Sequence, residues 1–234
     1  MRGGGAFSGR MTAPLCAAGG VCLQILKRRN INISAHILRI GDISDTPYDP
    51  MRGATEACGE FPCVSPEAAG LMKSSILAAA AEGDSLGAVI ECAADGVPAG
   101  LGGPLFEGLE GRIASLAFAI PAVKGIEFGA GFDAVRLRGS ENNDPFVICG
   151  GCVATATNNA GGILGGISDG MPLVFRAAIK PTPSIAKAQR SVSLRDMTER
   201  ELKIGGRHDP CIAPRAVPVV EAAAAIALLD ALLE

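Results

Sequence analysis

Four short segments of this chain gather the groups that hold anions. The first, Arg2-Gly3-Gly4-Gly5-Ala6-Phe7-Ser8-Gly9-Arg10, opens a helix. Backbone amides at a helix start, joined by Ser8 and Arg10, suit a phosphate or carboxylate, although a frayed terminus reads the same way. The second runs from Asn158 to Gly170 and carries Gly161, Gly162, Gly165, Gly166 and Gly170, a backbone able to lie close to a flat ligand. It fits neither GxGxxG nor a P-loop. The third is Lys180-Pro181-Thr182-Pro183-Ser184, where a cation, two hydroxyls and a proline-stiffened loop can hold an anionic group at low entropic cost. The fourth is Gly206-Arg207-His208-Asp209-Pro210-Cys211. Arg207 offers a bidentate anion clamp and Asp209 a base. A loop histidine beside a plain Arg207–Asp209 ion pair accounts for that segment equally well.

Two further patterns invite chemistry and are set aside. Gly166-Ile167-Ser168-Asp169-Gly170 matches GxSxG, but a nucleophile elbow needs a strand before the serine and a helix after it. Here glycines precede Ser168 and Pro172 follows, so Ser168 reads as a turn residue and a serine hydrolase is the weak alternative. Cys149-Gly150-Gly151-Cys152 is a lone CxxC among eight cysteines, with Cys58 and Cys63 four residues apart. A structural zinc wants two close pairs, so no metal is expected.

The elements that must position these groups read as α+β. Leu15, Ala18, Cys22 and Leu26 recur at helical spacing, with Lys27-Arg28-Arg29 at the favourable C-terminal end. Ile31, Ile33, Ala35 and Ile37 alternate as a strand, which puts His36 on the polar, surface-facing phase. Ser65 caps a helix with Pro66 at its first position, running to about Glu82 and stopped by Gly83. Leu86 to Ala93 and Leu173 to Ile179 read as strands, Val123 to Phe128 and Ala134 to Leu137 as short extended or mixed pieces, and Leu109 to Ala119 as a helix. Pro181 to Ser184 must be a loop. Ala216 to Leu233, interrupted by Glu221 and Asp230, reads as a buried amphipathic helix, and no run approaches the length of a membrane span. No composition break marks a linker, so residues 1–234 read as one domain.

Composition sharpens the anion reading. The net charge is −3, yet residues 176–215 carry a surplus of five positive charges, leaving −8 elsewhere. A basic Gly/Pro-rich window in an acidic chain suggests a local anion site, or a solvated basic face. With no Trp and one Tyr, nucleic-acid binding is not expected. No secretory n-region and h-region opens the chain, so a reducing cytoplasm with free thiols is the expectation.

Taken together and in this order, the segments resemble chorismate synthases. The resemblance rests on EGDSLGAVIE (82–91), GVPAGLG (96–102), AVKGIEFG (122–129), RGSENND (138–144), NNAGGILGGISDG (158–170), KPTPSIAK (180–187), GRHDPC (206–211) and PRAVPVVEA (214–222), and spans the chain from Gly3 onward. It implies a β-α-β sandwich with helices between antiparallel sheets and a homotetramer. It also implies a lyase of aromatic amino-acid biosynthesis that removes phosphate from 5-enolpyruvylshikimate 3-phosphate by 1,4-elimination. Reduced FMN is the implied cofactor, with NADPH as a candidate reductant. Carried over by position, FMN contacts fall at Ser8, Ala122, Gly165, Lys180, Pro181, Thr182, Pro183, Ser184 and Arg207. Substrate-facing arginines fall at Arg10 and Arg207, and the aspartate beside the flavin at Asp209. The family's GESHG-type block and a later histidine have no counterpart here, where His36 and His208 are the only histidines. Ala6, Phe7 and Asn142 also depart from the common residues. The expectation is an N-terminally shortened member that is inactive alone, with a non-catalytic flavin-binding remnant as the alternative.

Overall fold

The computed structural model describes residues 5, 8–50, 53, 60–206 and 208–234. Its architecture is α+β, with helices packed on an antiparallel sheet. Helix α1 (Ala13–Arg28) is followed by strands β1 (Asn32–Ile40) and β2 (Ile43–Ser44). Helix α2 (Pro66–Ala81), strand β3 (Ala88–Asp95), helix α3 (Leu109–Ala119) and strand β4 (Val123–Phe128) come next. A short helix α4 (Gly139–Asn142) leads into two hairpins: β5 (Phe146–Cys149) with β6 (Cys152–Thr155), then β7 (Ile163–Leu164) with β8 (Ile167–Ser168). Strand β9 (Leu173–Ile179), the hairpin β10 (Gln189–Ser193) and β11 (Thr198–Leu202), and helix α5 (Ala213–Leu233) complete the chain.

The main sheet has the order β2-β1-β3-β9-β4, every pair antiparallel. Its strands alternate, and register lines equivalent positions into rows. One row is Ile37, Ile90, Ala177 and Ile126; the next is Ala35, Cys92, Phe175 and Phe128. These apolar rows join α5 in the core. Helix α3 adds Leu109, Ile113 and Ala117, spaced by four on one face.

The opposite face of the sheet carries a row of polar side chains: His36, Glu91, Arg176 and Glu127, each directly opposite the next. Arg176 Nε donates to Glu91 Oε1 at 2.8 Å, and His36 Nε2 lies 3.7 Å from Glu91 Oε2. The segment after β2 closes over this row. Tyr48 N–H donates to Glu91 Oε2 at 2.6 Å, its hydroxyl donates to Asp95, and Thr46 O lies 3.1 Å from His36 Nε2. His36 is therefore 6% exposed, not the surface residue that alternation suggested. The strand period was right; a loop covers the polar phase.

Elsewhere the sequence expectations fare as follows. Ser65 caps α2 by accepting from Ala68 N–H, and α3, β4 and β9 occupy the expected spans. The strand expected over 86–93 is shifted to Ala88–Asp95. Of the piece at 134–137, expected to be extended or mixed, residues 134–136 fall in the 3₁₀ turn Gly131–Arg136 and Leu137 is extended, with Phe132 N–H donating to Glu127 Oε2 at 3.2 Å. Helix α5 is long and apolar enough to cross a membrane, which corrects the statement that no run approaches that length. Most of it is buried within the protein, as in a core helix.

Packing of α1 on α5 turns on one glycine. A Cβ at Gly19 would lie 2.3 Å from Ala222 Cβ, whereas one at Gly20 would meet nothing within 4 Å. Alanine gains about 1 kcal/mol over glycine in a helix interior, but overpacking costs about 1–3 kcal/mol. Adjacent substitutions therefore have opposite signs. Chemical denaturation should show Gly20→Ala stabilised by about 1 kcal/mol and Gly19→Ala destabilised.

Glu221, midway along α5, accepts from Ala35 N–H of β1 at 2.8 Å. Burial pushes its carboxyl pKa above the ordinary 4.5, against the smaller opposing effect of that hydrogen bond. A raised folded-state pKa means the contribution is complete below pH 4.5 and is lost as pH rises through the folded value. Glu221→Gln keeps an acceptor for Ala35 without the charge. Its melting temperature should exceed that of the unsubstituted chain at pH 7, and the difference should close towards pH 4; an unchanged gap across pH would refute this account.

Candidate active site

A cavity of about 430 Å³ opens between the start of α1, the α3–β4 connection and the start of α5. It brings together Ser8 and Arg10 from the first segment, Asp209 from the fourth, and Ala122 from the 122–129 block. The side chain of Ser8 caps the 3₁₀ turn Gly9–Thr12 by accepting from Arg10 N–H at 3.3 Å. Thr12 Oγ1 donates back to Gly9 O at 2.6 Å, so this turn is locked before α1 begins. The walls are apolar, from Ile120, Pro121, Ile212, Ala216 and Val219, while Arg10, Asp209 and Arg215 are the charged lining groups. An apolar slot with a few convergent polar groups is the usual form of a small-molecule site.

Asp209 pairs with Arg215, six residues on and one turn into α5. Sequence reasoning gave Asp209 a possible partner in Arg207; that residue lies outside the described ones, as do Arg2, Gly3, Gly4, Ala6 and Phe7. Arg215 was missed as a lining residue. The signal was available: an arginine at the start of a helix that follows the Arg-His-Asp segment directly. His208 is exposed and does not line the cavity, and His36 belongs to the covered face of the sheet.

The Lys180–Ser184 loop reaches this region through the backbone. Lys180 N–H donates to Ala122 O at 2.9 Å, which fixes the start of the loop beside the cavity wall. Beyond it, Ser85 Oγ donates to Thr182 O at 2.7 Å, and Ala186 N–H donates to Gly83 O at 2.9 Å. Lys187 Nζ then contacts Asp84 and Glu82, and the hydrogen bond to Asp84 raises the lysine pKa and lowers that of the aspartate. Pro181, Thr182, Pro183 and Ser184 thus lie on a tethered loop outside the cavity lining. Thr182 Oγ1 is buried and has no hydrogen-bond partner among the described residues.

Gly165, too, is not among the residues that line the cavity. It lies at the β7–β8 turn with φ +60, where glycine is favoured, and that hairpin presses on residues 102–109. Leu109 N–H donates to Gly166 O at 3.0 Å. Ser168 is 3% exposed; its Oγ donates to Pro98 O at 2.6 Å and accepts from Leu101 N–H at 2.9 Å. That hydroxyl is a buried brace, and the hydrolase reading is dropped. Asp144 joins two of the signature blocks, accepting from Asn159 N–H at 2.7 Å and Ala160 N–H at 2.8 Å. Asn142 O accepts from Asn159 Nδ2 at 3.2 Å, and Asn142 Oδ1 is buried without a partner among the described residues.

The comparisons with known proteins agree on one family. A family model described as chorismate synthase matches residues 1–233. The chain belongs to the chorismate synthase family. It is 46% identical to the chorismate synthase of Lancefieldella parvula, over 98% of this chain and 64% of that protein. It is 49% identical to that of Archaeoglobus fulgidus, over 99% of this chain and 65% of the relative. A crystal structure of chorismate synthase superposes with a TM-score of 0.81 at 33% identity, covering 97% of this chain and 64% of that one. The chain therefore spans a little under two thirds of the length of the chorismate synthases it matches.

Ala122 stands out among the residues lining the cavity for its backbone, with φ +77 in a residue other than glycine. Such a conformation costs of order 1–3 kcal/mol and persists only where surrounding contacts hold it. Here the hold is Lys180 N–H on Ala122 O. Ala122→Gly should raise stability by about 1 kcal/mol, and Ala122→Val should lower it by at least that, because a β-branched residue resists positive φ. Equilibrium unfolding of both variants checks the pair; equal effects would show the strain to be absent.

Proposed function

We propose that this chain carries the flavin-facing and aspartate-bearing part of a chorismate synthase site. The reaction would be 1,4-elimination of phosphate from 5-enolpyruvylshikimate 3-phosphate, giving chorismate, with reduced FMN as cofactor. The observation that carries the reading is the convergence of Ser8, Arg10, Ala122 and Asp209, distant in sequence, on one cavity. The residues present fit a flavin nucleotide: apolar walls suit a flat ring, and arginines suit phosphate and carboxylates.

When bound, reduced FMN would supply electron density to the elimination. The chain's own residues bind, orient and neutralise. Arg10 and Arg215 offset the negative charge of substrate and leaving phosphate. Arg215 holds the Asp209 carboxylate in one orientation, which places a proton acceptor at the cavity wall. The backbone at Ala122 and the tethered Lys180–Ser184 loop shape the rim. NADPH is the proposed reductant, the cytoplasm the proposed compartment, and a homotetramer the proposed assembly. The exposed Phe106, Phe132 and Val135 supply apolar surface for such an assembly to bury.

We further propose that the 234-residue chain binds FMN without turnover by itself. Neither His36 nor His208 lines the cavity, so no imidazole is placed there to deliver a proton. Flavin fluorescence titration should show binding by the purified chain. An anaerobic assay with reduced FMN and 5-enolpyruvylshikimate 3-phosphate should yield no chorismate. Turnover at an ordinary enzymatic rate would overturn the second claim, and failure of the folded chain to bind FMN the first.

A further inference from the structure

The Cys149-Gly150-Gly151-Cys152 motif has no part in the reading above, and the structure gives it a geometry. It is the tip of the β5–β6 hairpin, with Cys149 and Cys152 directly opposite each other in register. Gly150 and Gly151 have φ +59 and +83, the consecutive left-handed pair of a type I′ two-residue turn. A Cβ at either glycine would meet nothing within 4 Å, so this tip stands clear of the rest of the protein. Both cysteines are exposed free thiols.

The remaining described cysteines differ. Cys63 and Cys92 are buried, and burial pushes the Cys63 thiol up to about 12 and that of Cys92 well above its ordinary value. Cys16, Cys22 and Cys211 are half-buried, and burial also raises the last two. Directly opposed residues in an antiparallel pair present their side chains on one face. The pair flanking a two-residue turn is hydrogen-bonded, with Cα atoms about 5.5 Å apart, inside the ~4.4–6.8 Å window of a disulfide. Its Cβ atoms, at about 4.5–5.5 Å, must draw together to reach the ~3.5–4.5 Å a disulfide prefers. A bond that can close under strain at an exposed site is reducible, which suits a switch better than a staple.

We propose that Cys149 and Cys152 form a reversible dithiol–disulfide couple, oxidised by exchange with a low-molecular-weight disulfide of the glutathione type. The thiolate of one cysteine attacks a sulfur of that disulfide, breaking its S–S bond and releasing one thiolate. The second cysteine, as thiolate, attacks the mixed disulfide, closing the Cys149–Cys152 bond and releasing the other. The protein loses two electrons and two protons; the small disulfide gains both and leaves as two thiols. Neither step calls on the proposed flavin site.

The test is a redox titration of the 234-residue protein in glutathione buffers, quenched with acid, alkylated and read by peptide mass mapping. The peptide holding Cys149 and Cys152 should lose both alkylation sites together. This should occur at about tenfold lower oxidised glutathione than modifies Cys16, because ring closure is intramolecular. Cys152→Ser should stop at a glutathione adduct on Cys149. Independent adducts on both sulfurs of the unsubstituted protein, or oxidation no easier than at Cys16, would overturn the proposal. So would a stoichiometric zinc ion that copurifies and blocks both thiols until chelated, since the pair would then be a metal site.

Discussion

Everything in this fold is referred to the surface of α5. The helix meets the apolar rows of the sheet on one side, α1 through the Gly19–Ala222 contact on another, and α3 on a third. Ala222 to Ala225 are all essentially inaccessible, which is possible because small side chains let neighbouring backbones come close. Close approach fixes where α1 begins and where the α3–β4 connection ends. Those two places, with the first turns of α5 itself, are the walls of the cavity. The site is thus a by-product of tight helix packing; its shape depends on contacts that no ligand touches.

Two polar systems complete the frame. On the covered face of the sheet, Arg176 of β9 lies between Glu91 of β3 and Glu127 of β4, so opposite charges meet across three strands. Removing Arg176 would take the cation from Glu91, whose side chain is 1% exposed, and a buried carboxylate that loses its charged partner is costly. At the far end of α5, Arg112 of α3 contacts Glu107, Asp230 and Glu234, and hydrogen bonding to Glu234 lowers that carboxyl's pKa. The helix is therefore held at its cavity end by packing and at its other end by charge.

Elements with strong period or punctuation were readable before the coordinates. Ser65-Pro66 announced α2, and the unbroken spans of α3, β4 and β9 announced themselves by composition. What escaped was what depends on partners. His36 obeyed its strand alternation, yet a loop remote from that pattern covers it. Gly150-Gly151 flanked by Phe146–Cys149 and Cys152–Thr155 is a hairpin signal, but attention to metal spacing hid it. Ser8, Arg10, Ala122 and Asp209, named from motif order, line one cavity, and Arg215 joins them only once the start of α5 is seen to face it. Gly165, named from the same blocks, lies on the β7–β8 hairpin and is not among the lining residues. Family membership came from eight blocks read together; no single block would have sufficed.

Glu221 has a consequence for biosynthesis. A 21-residue helix this rich in alanine, leucine and valine resembles, to the insertion machinery of a cell, a segment bound for lipid. An acidic group well inside such a segment adds on the order of 3 kcal/mol to the cost of entering a bilayer, and Asp230 adds to it nearer the end. The carboxyl that sits uncomfortably against Ala35 in the finished protein thus biases the nascent helix towards its own sheet and away from a membrane.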